Sequence, residues 1–496
     1  MPSKTFYITT AIDYVNARPH IGHAYEKVIA DVLARWHRLK GDDVFFLTGT
    51  DENAQKNEQA AQAASIPTQA FVNQNSKIFQ QLCTELHISH DDFIKTTEKR
   101  HVKIAQAIFT TLLSKGDIYK GVYKGYYCTG CEAYITEKDL VNKKCPEHDK
   151  VPEWIEQESY FFKMSKYESK IHALLESKQF VFPEGKRKEM LQRLQTEGLK
   201  DLCVSRMHAQ WGIPVPGDET HTIYVWIDAL SNYITALGYP DGDAYKKYWP
   251  ANIQVIGKGI NWFHSVIWPA ILLGIDAQPP KTILVHGYLT VNGKKVSKST
   301  GTSIDPFPLI HTYGSDALRY FLIREIPVHE DGDFNEEALK NRLNNELAND
   351  LGNLISRTQS LVVKHCQGKI PEGEPDGELV EKLNLKKIEK HMKIYELHHA
   401  LATIWDFVHE VNKYINERKP WENAKDRNEV LYNVLDAIRI IGILLSPFIP
   451  ETSGKINTFL AIGCGNYDDV KFGLLPTGKP ICTVENLFPK HASSTK

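Results

Sequence analysis

Nowhere in the 496 residues does an apolar run reach the roughly 18 positions that a membrane-spanning helix needs, so no bilayer crossing is expected. The opening stretch, MPSKTFYITT, holds no signal-peptide core, and the expected location is the cytoplasm. Charge of one sign is missing too: 59 Lys and Arg stand against 61 Asp and Glu, a net charge of -2. That balance excludes a wholesale electrostatic grip on nucleic acid and leaves only local patches. Eight cysteines are too few to staple a chain of this length with disulfides. Tandem repeats and low-complexity tracts are absent, which excludes a solenoid. What is present is apolar material, 42 % of residues, in a chain longer than one core usually organises, so several domains are expected.

Thr5 to Ala11 reads as a buried strand. After a polar turn the apolar spacing changes to Val28, Ile29, Val32, Leu33, Trp36 and Leu39, which is an amphipathic helix. Val44 to Leu47 and a helix from about Ala54 repeat the alternation, so the fold class is α/β, a Rossmann-like doubly wound parallel sheet whose ligands sit at strand carboxyl ends. The rhythm breaks at about 115–220 and resumes in HTIYVWIDAL, ANIQVIGKG and KTILVHGYLTV, each with a strand-like core. From about Asn335 only helical periodicity remains, which predicts an all-α bundle. The expected order is a catalytic first half (1–114), an insertion (115–220) holding a knuckle at about 126–150, and a catalytic second half (221–275). A stem-contact region (276–340) and the bundle (341–496) follow.

Four constellations carry chemistry. His20, Gly22 and His23 stand where the first helix begins, where unpaired N–H groups and the helix dipole favour a phosphate, glycine allows close approach, and imidazoles donate to anionic oxygens. The plainer reading is a surface helix with incidental histidines. Lys294 to Thr300, KKVSKST, follows an Asn292-Gly293 hairpin turn; its lysines suit a triphosphate, or else form a solvated hairpin edge. Cys128, Cys131, Cys145 and His148 form two C-x-x-C/H knuckles, the spacing of a closed, structural tetrahedral zinc site, against the alternative of small buried thiols. Asn353 and Arg357 lie one turn apart, and Trp421 follows Pro420: groups that read and stack an unpaired base, or simply a helix-surface pair and a core tryptophan.

With HIGH at His20 to His23 and Lys295-Val296-Ser297-Lys298-Ser299, the chain resembles the class I aminoacyl-tRNA synthetases. Through AIDY, GTDEN, YVWIDALSNY, GINWFHS and HGYLTVNG it resembles their methionyl branch. The resemblance implies a methionine–tRNA ligase: ATP-dependent formation of methionyl-adenylate, then transfer to the terminal adenosine of initiator and elongator tRNA(Met). It places His20, His23, Lys295 and Lys298 in catalysis, and adds Gly22, Gly257, Asp228, His286 and Ser297 to the ATP site. Around methionine it places Ala11, Ile12, Tyr14, Trp226, Ala229, Leu230, Tyr233, Ile260 and His264, with Asp51 on the ammonium. Asn353, Arg357 and Trp421 match positions that meet the anticodon. One structural Zn2+, and Mg2+ with ATP, are the implied ions. Asp13 stands where the branch commonly has proline or tyrosine. No large editing insertion separates the signatures, which disfavours the leucyl, isoleucyl and valyl branches. Smaller nucleotidylyltransferases share the histidine loop but have no use for the bundle. No oligonucleotide-binding barrel follows the bundle, and a monomer is expected. Lys386, Lys387, Lys390 and Lys393 make a basic stripe that reads as a solvated face.

Overall fold

The computed structural model describes residues 4–491 apart from 129–132, 136, 138–139, 147–148, 208–209, 292–293 and 296–302. At its centre is a seven-stranded sheet in which every pairing is parallel. Thr5–Thr10 pairs with Asp43–Asp51 on one side and Ile253–Gly257 on the other, so strands from the two parts of the chain meet at the first strand. Beyond them lie Asp92–Lys95 at one edge, and Ile283–His286 then Val181–Phe182 at the other. That meeting line is the topological switch point, where an open α/β sheet leaves a crevice at its carboxyl edge. Thr10, Asp51, Gly257 and His286 all end strands there.

Two parts of the sheet differ from the sequence reading. Val181–Phe182, inside the expected insertion, is an edge strand of the sheet, and Ile283–His286, expected in the stem-contact region, is an inner one. Composition shifts mark where alternation pauses, not which sheet a short apolar run will join. HTIYVWIDAL also divides: Asp218–Ile223 is a strand of a small antiparallel sheet, while Val225–Thr235 is a helix. Every residue of that helix is buried, so no polar stripe reveals its 3.6 period, and a short buried helix is indistinguishable from a strand by pattern.

The first helix, Ile21–Leu39, is covered on both sides. Val28, Ile29, Val32 and Leu33 join Phe6 and Ile8 in one continuous apolar core that runs on through Leu318 and Phe321 into Leu401, Leu435 and Ile438 of the bundle. Each such side chain contributes about 1.5–3 kcal/mol on burial. The same helix carries a charge inward: Asp31, fully buried, pairs with the equally buried Arg319 at 2.7 Å. Arg319 also donates to the carbonyls of Leu86, Pro447 and Phe448, joining the central sheet region to the bundle. The bundle itself centres on the long helices Leu397–Arg418 and Arg427–Leu445. Among the described residues no helix is long and apolar enough to cross a membrane.

Candidate active site

His20 caps the first helix with its own ring: Nδ1 accepts from the Gly22 N–H at 3.1 Å, and His23 Nδ1 accepts from the His20 N–H at 2.9 Å. The rings stack at 3.8 Å. With Nδ1 used as an acceptor in both, the neutral rings carry their proton on Nε2. A side chain at position 22 would place its Cβ 2.9 Å from His20 Cε1, which explains the glycine. Here the structure corrects the sequence argument. The helix-start amides are not left for a phosphate: His20 takes that of Gly22, and the carbonyl of Ile304 accepts from the Ile21 N–H at 2.9 Å. What the two rings add to the helix dipole at this turn is an N–H on each Nε2.

The Ile304 contact also brings the chain just past the lysine segment to the histidine turn. Leu289–Val291 and Lys294–Lys295 form an antiparallel hairpin directly after the strand ending at His286. Past 302 the chain returns to the histidine turn through Ile304, and Arg18 meets Asp305 at 3.3 Å. Both flanks of the segment thus attach at the crevice. Ser297 and Lys298 lie outside the described residues, and of Lys295 only the strand position is described. His286 faces Glu26 at 2.9 Å, while Glu26 accepts from the Ala11 N–H at 2.9 Å. A Cβ on Gly257 would sit 3.6 Å from the His286 ring, ordinary contact that leaves the two strand ends side by side.

Of the residues expected around methionine, Trp226, Tyr233, Ile260 and His264 are brought into one cluster. Tyr233 donates to His264 Nε2 at 2.7 Å, and His264 Nδ1 donates to the carbonyl of Ile260 at 3.0 Å. Both are buried, and burial lowers the His264 imidazole to about 4, so it stays neutral. His264 lies in a π-helical turn, Phe263–Ile267, a local irregularity of the kind that re-aims side chains at functional sites. Phe263, which the sequence reading passed over, stacks on Trp226 at 3.7 Å. Its only signal was membership of GINWFHS. Ala11, Ala229 and Leu230 are buried, and Ile12, Tyr14 and Ile260 partly so.

Asp51 is 1 % exposed at the end of its strand and accepts from the Asn53 N–H at 3.2 Å. Asp228 differs from the expectation of a nucleotide contact. It is fully buried, and its oxygens are taken by Asn53 at 2.8 Å and by His101 at 2.6 Å. It therefore ties the loop just after Asp51 to the helix bearing His101. Nothing in the sequence pointed to Asn53 and His101 in this role, because partners 175 and 127 residues apart leave no periodic trace.

The knuckle residues divide. Cys128 and Cys145 are buried thiols without a disulfide, at the end of a strand and beside a tight turn closed by Val141 and Lys144. Cys131 and His148 lie outside the described residues, among which no cluster of three or more metal-ligating side chains occurs. In the bundle, Asn353 and Arg357 follow a π-helical stretch, Leu343–Gly352, and line an open groove of about 500 Å³ with Asn349, Ser356, Ser360 and Asn412. Arg357 donates to Asn416 at 2.5 Å. Trp421 is 38 % exposed, three residues past the end of the helix bearing Asn412 and Asn416.

Residues 6–150 and 137–359 match the family described as tRNA synthetases class I (M). The chain belongs to that family. Residues 368–495 of the synthetase match the anticodon binding domain of methionyl tRNA ligase. The synthetase is 45 % identical to a methionine–tRNA ligase of Caldanaerobacter subterraneus subsp. tengcongensis, over 98 % of this chain and 79 % of that one. It is 42 % identical to one of Brucella suis biovar 1, over 100 % and 99 %. Its fold superposes with a TM-score of 0.94 on the Mycobacterium tuberculosis methionyl-tRNA synthetase bound by methionyl-adenylate, at 37 % identity over 98 % of this chain and 100 % of that one.

Proposed function

We infer that this synthetase is a methionine–tRNA ligase. The observation that carries the reading is that the first signature and the residues flanking the second meet at one crevice, through the Ile21 to Ile304 hydrogen bond and the hairpin after His286. In the first step the methionine carboxylate attacks the α-phosphorus of ATP and pyrophosphate leaves. In the second, a terminal ribose hydroxyl of tRNA attacks the adenylate carbonyl and AMP leaves. His20 and His23 donate from Nε2 to the phosphate oxygens as charge grows there, and Lys295 with Lys298 clamps the departing pyrophosphate. No covalent enzyme intermediate is needed, because positioning and charge stabilisation supply the acceleration.

Asp51 holds the ammonium, and the wall of Trp226, Phe263, Tyr233 and His264 receives the thioether, a polarizable group that suits aromatic edges. A neutral His264 matters here, since an imidazolium would be unsolvated beside an uncharged side chain. Asn353, Arg357 and Trp421 read and stack the anticodon. Mg2+ accompanies ATP, held mainly by phosphate oxygens and water. Cys128, Cys131, Cys145 and His148 hold zinc: buried thiols at turns are a suitable donor set, and the ion would close the knuckle without touching substrate. The synthetase acts as a monomer in the cytoplasm. The test is exchange of labelled pyrophosphate into ATP with each of the twenty amino acids. Methionine alone is expected to drive it, and a different amino acid, or none, would overturn the reading.

A further inference from the structure

Asp228, Asn53 and His101 link three separate elements in a place closed to solvent. Asp228 stands on the helix Val225–Thr235, which also carries Trp226, Ala229, Leu230 and Tyr233 of the proposed pocket wall. Asn53 lies two residues past Asp51, in the loop that leaves the sheet, and His101 comes from the helix Lys99–Ser114. Both amide hydrogens of Asn53 are spent, one on Asp228 Oδ2 at 2.8 Å and one on the Thr96 carbonyl at 3.1 Å. The other carboxylate oxygen, Oδ1, lies 2.6 Å from His101 Nε2, and Thr235 Oγ1 meets His101 Nδ1 at 2.8 Å, so the ring is held at both nitrogens. Two donors converge on Asp228. Only a carboxylate offers an acceptor to each, because an amide would turn its own N–H towards one of them. A charge is costly to take out of water unless it is bonded in this way, and its use here is a link between the pocket wall and the Asn53 loop.

At its loop end the link reaches Asp51. The Asn53 N–H donates to Asp51 Oδ1 at 3.2 Å, and Asn57 Nδ2 donates to the Asp51 carbonyl at 2.9 Å. Asp51 has further partners, so the loop sets where its carboxylate stands without being its sole support. Resting on the ligase reading, we propose that Asp228, braced by His101, is a positioning residue for the methionine ammonium: it holds the Asn53 loop, and with it Asp51, at a set distance from the wall that receives the side chain. Asp228 and His101 are enclosed, so they act through Asp51 and not on the ligand. The reason for such a link is geometric. An amino acid is gripped by its ammonium and its side chain at once, and the two contacts reinforce each other only when their separation in the site matches that in the ligand. A loop fixed beforehand spares binding the cost of ordering it.

The test compares L-methionine with γ-(methylthio)butyrate, the same molecule with hydrogen in place of its ammonium. KM for methionine and the inhibition constant of the analogue are measured in pyrophosphate exchange on the full chain, with thermal unfolding alongside. Asp228→Asn is expected to raise KM for methionine about 10-fold or more, the scale of a lost hydrogen bond to a charged group, while the analogue binds within about 2-fold of its wild-type strength and kcat holds. Asn53→Ala cuts the link from the loop side and leaves the carboxylate bonded to His101. It is expected to show the same split, and it decides the matter if Asp228→Asn does not fold. His101→Gln keeps a donor for Asp228 and is expected to retain the wild-type KM; a loss as large as that of Asp228→Asn would overturn the bracing role. Equal weakening of both ligands in the folded variants, or an unchanged KM, would overturn the proposal and make the link a packing feature. Absence of methionine-dependent exchange in the wild type would instead refute the ligase reading.

Discussion

At the proposed methionine end, His101, Asp228 and Asn53 are sealed from water and occupy one another's hydrogen-bonding groups, and Tyr233 does the same for His264. At the groove of the bundle, Asn353 and Ser356 are exposed, Arg357 is half-exposed, and Trp421 stands in solvent. The two ends meet different demands. Charge that develops for an instant during bond breaking is stabilised only by groups already fixed in a dry site. A flexible single strand is captured by faces that can stack and by donors that reorganise around it.

The contrast can be broken in three ways. Lys298→Ala should lower methionine-dependent exchange by about 100-fold or more while zinc content is unchanged; a normal rate would remove that lysine from its role. The buried His264 predicts an acid-sensitive methionine end. Its folded-state imidazole titrates at about 4 against an ordinary value of 6.5, so on acidification the unfolded chain takes up a proton first, and stability is lost as pH falls from 6.5 towards 4. That loss amounts to roughly 3 kcal/mol for this group. Urea titrations at pH 7 and pH 4.5 should show His264→Asn losing less stability than the wild type, and an identical loss would deny the burial cost. The smallest effect, about 10-fold, is expected of Arg357→Ala on the KM for tRNA, with pyrophosphate exchange untouched. If exchange fell as well, the two ends would be energetically coupled and the contrast would need redrawing.

Much of this was legible in the chain. A strand followed by a helix-period pattern located the crevice, because both signals are local and repeat along the sequence. HIGH and the hairpin before KVSKS are contiguous motifs, and each follows a strand of one sheet, which a local pattern can show. What stayed hidden depends on distant partners. Asp228 read as a nucleotide ligand because its segment was familiar, while its enclosure by His101 and Asn53 exists only once the sheet closes. The use of the Gly22 amide by the His20 ring was invisible for a related reason: capping by an imidazole has no composition signal beyond the residues themselves. The π-helical turns that carry His264 and precede Asn353 are departures from a period, which pattern matching smooths over.

Arg319, with Asp31 on one side and the carbonyls of Pro447 and Phe448 on the other, gives the molecule a fixed span. Crevice and groove then behave as the two jaws of a caliper whose opening the solvent cannot easily change. On the proposed tRNA reading, that fixed spacing makes the length of the nucleic acid, and not only its sequence, part of what is recognised.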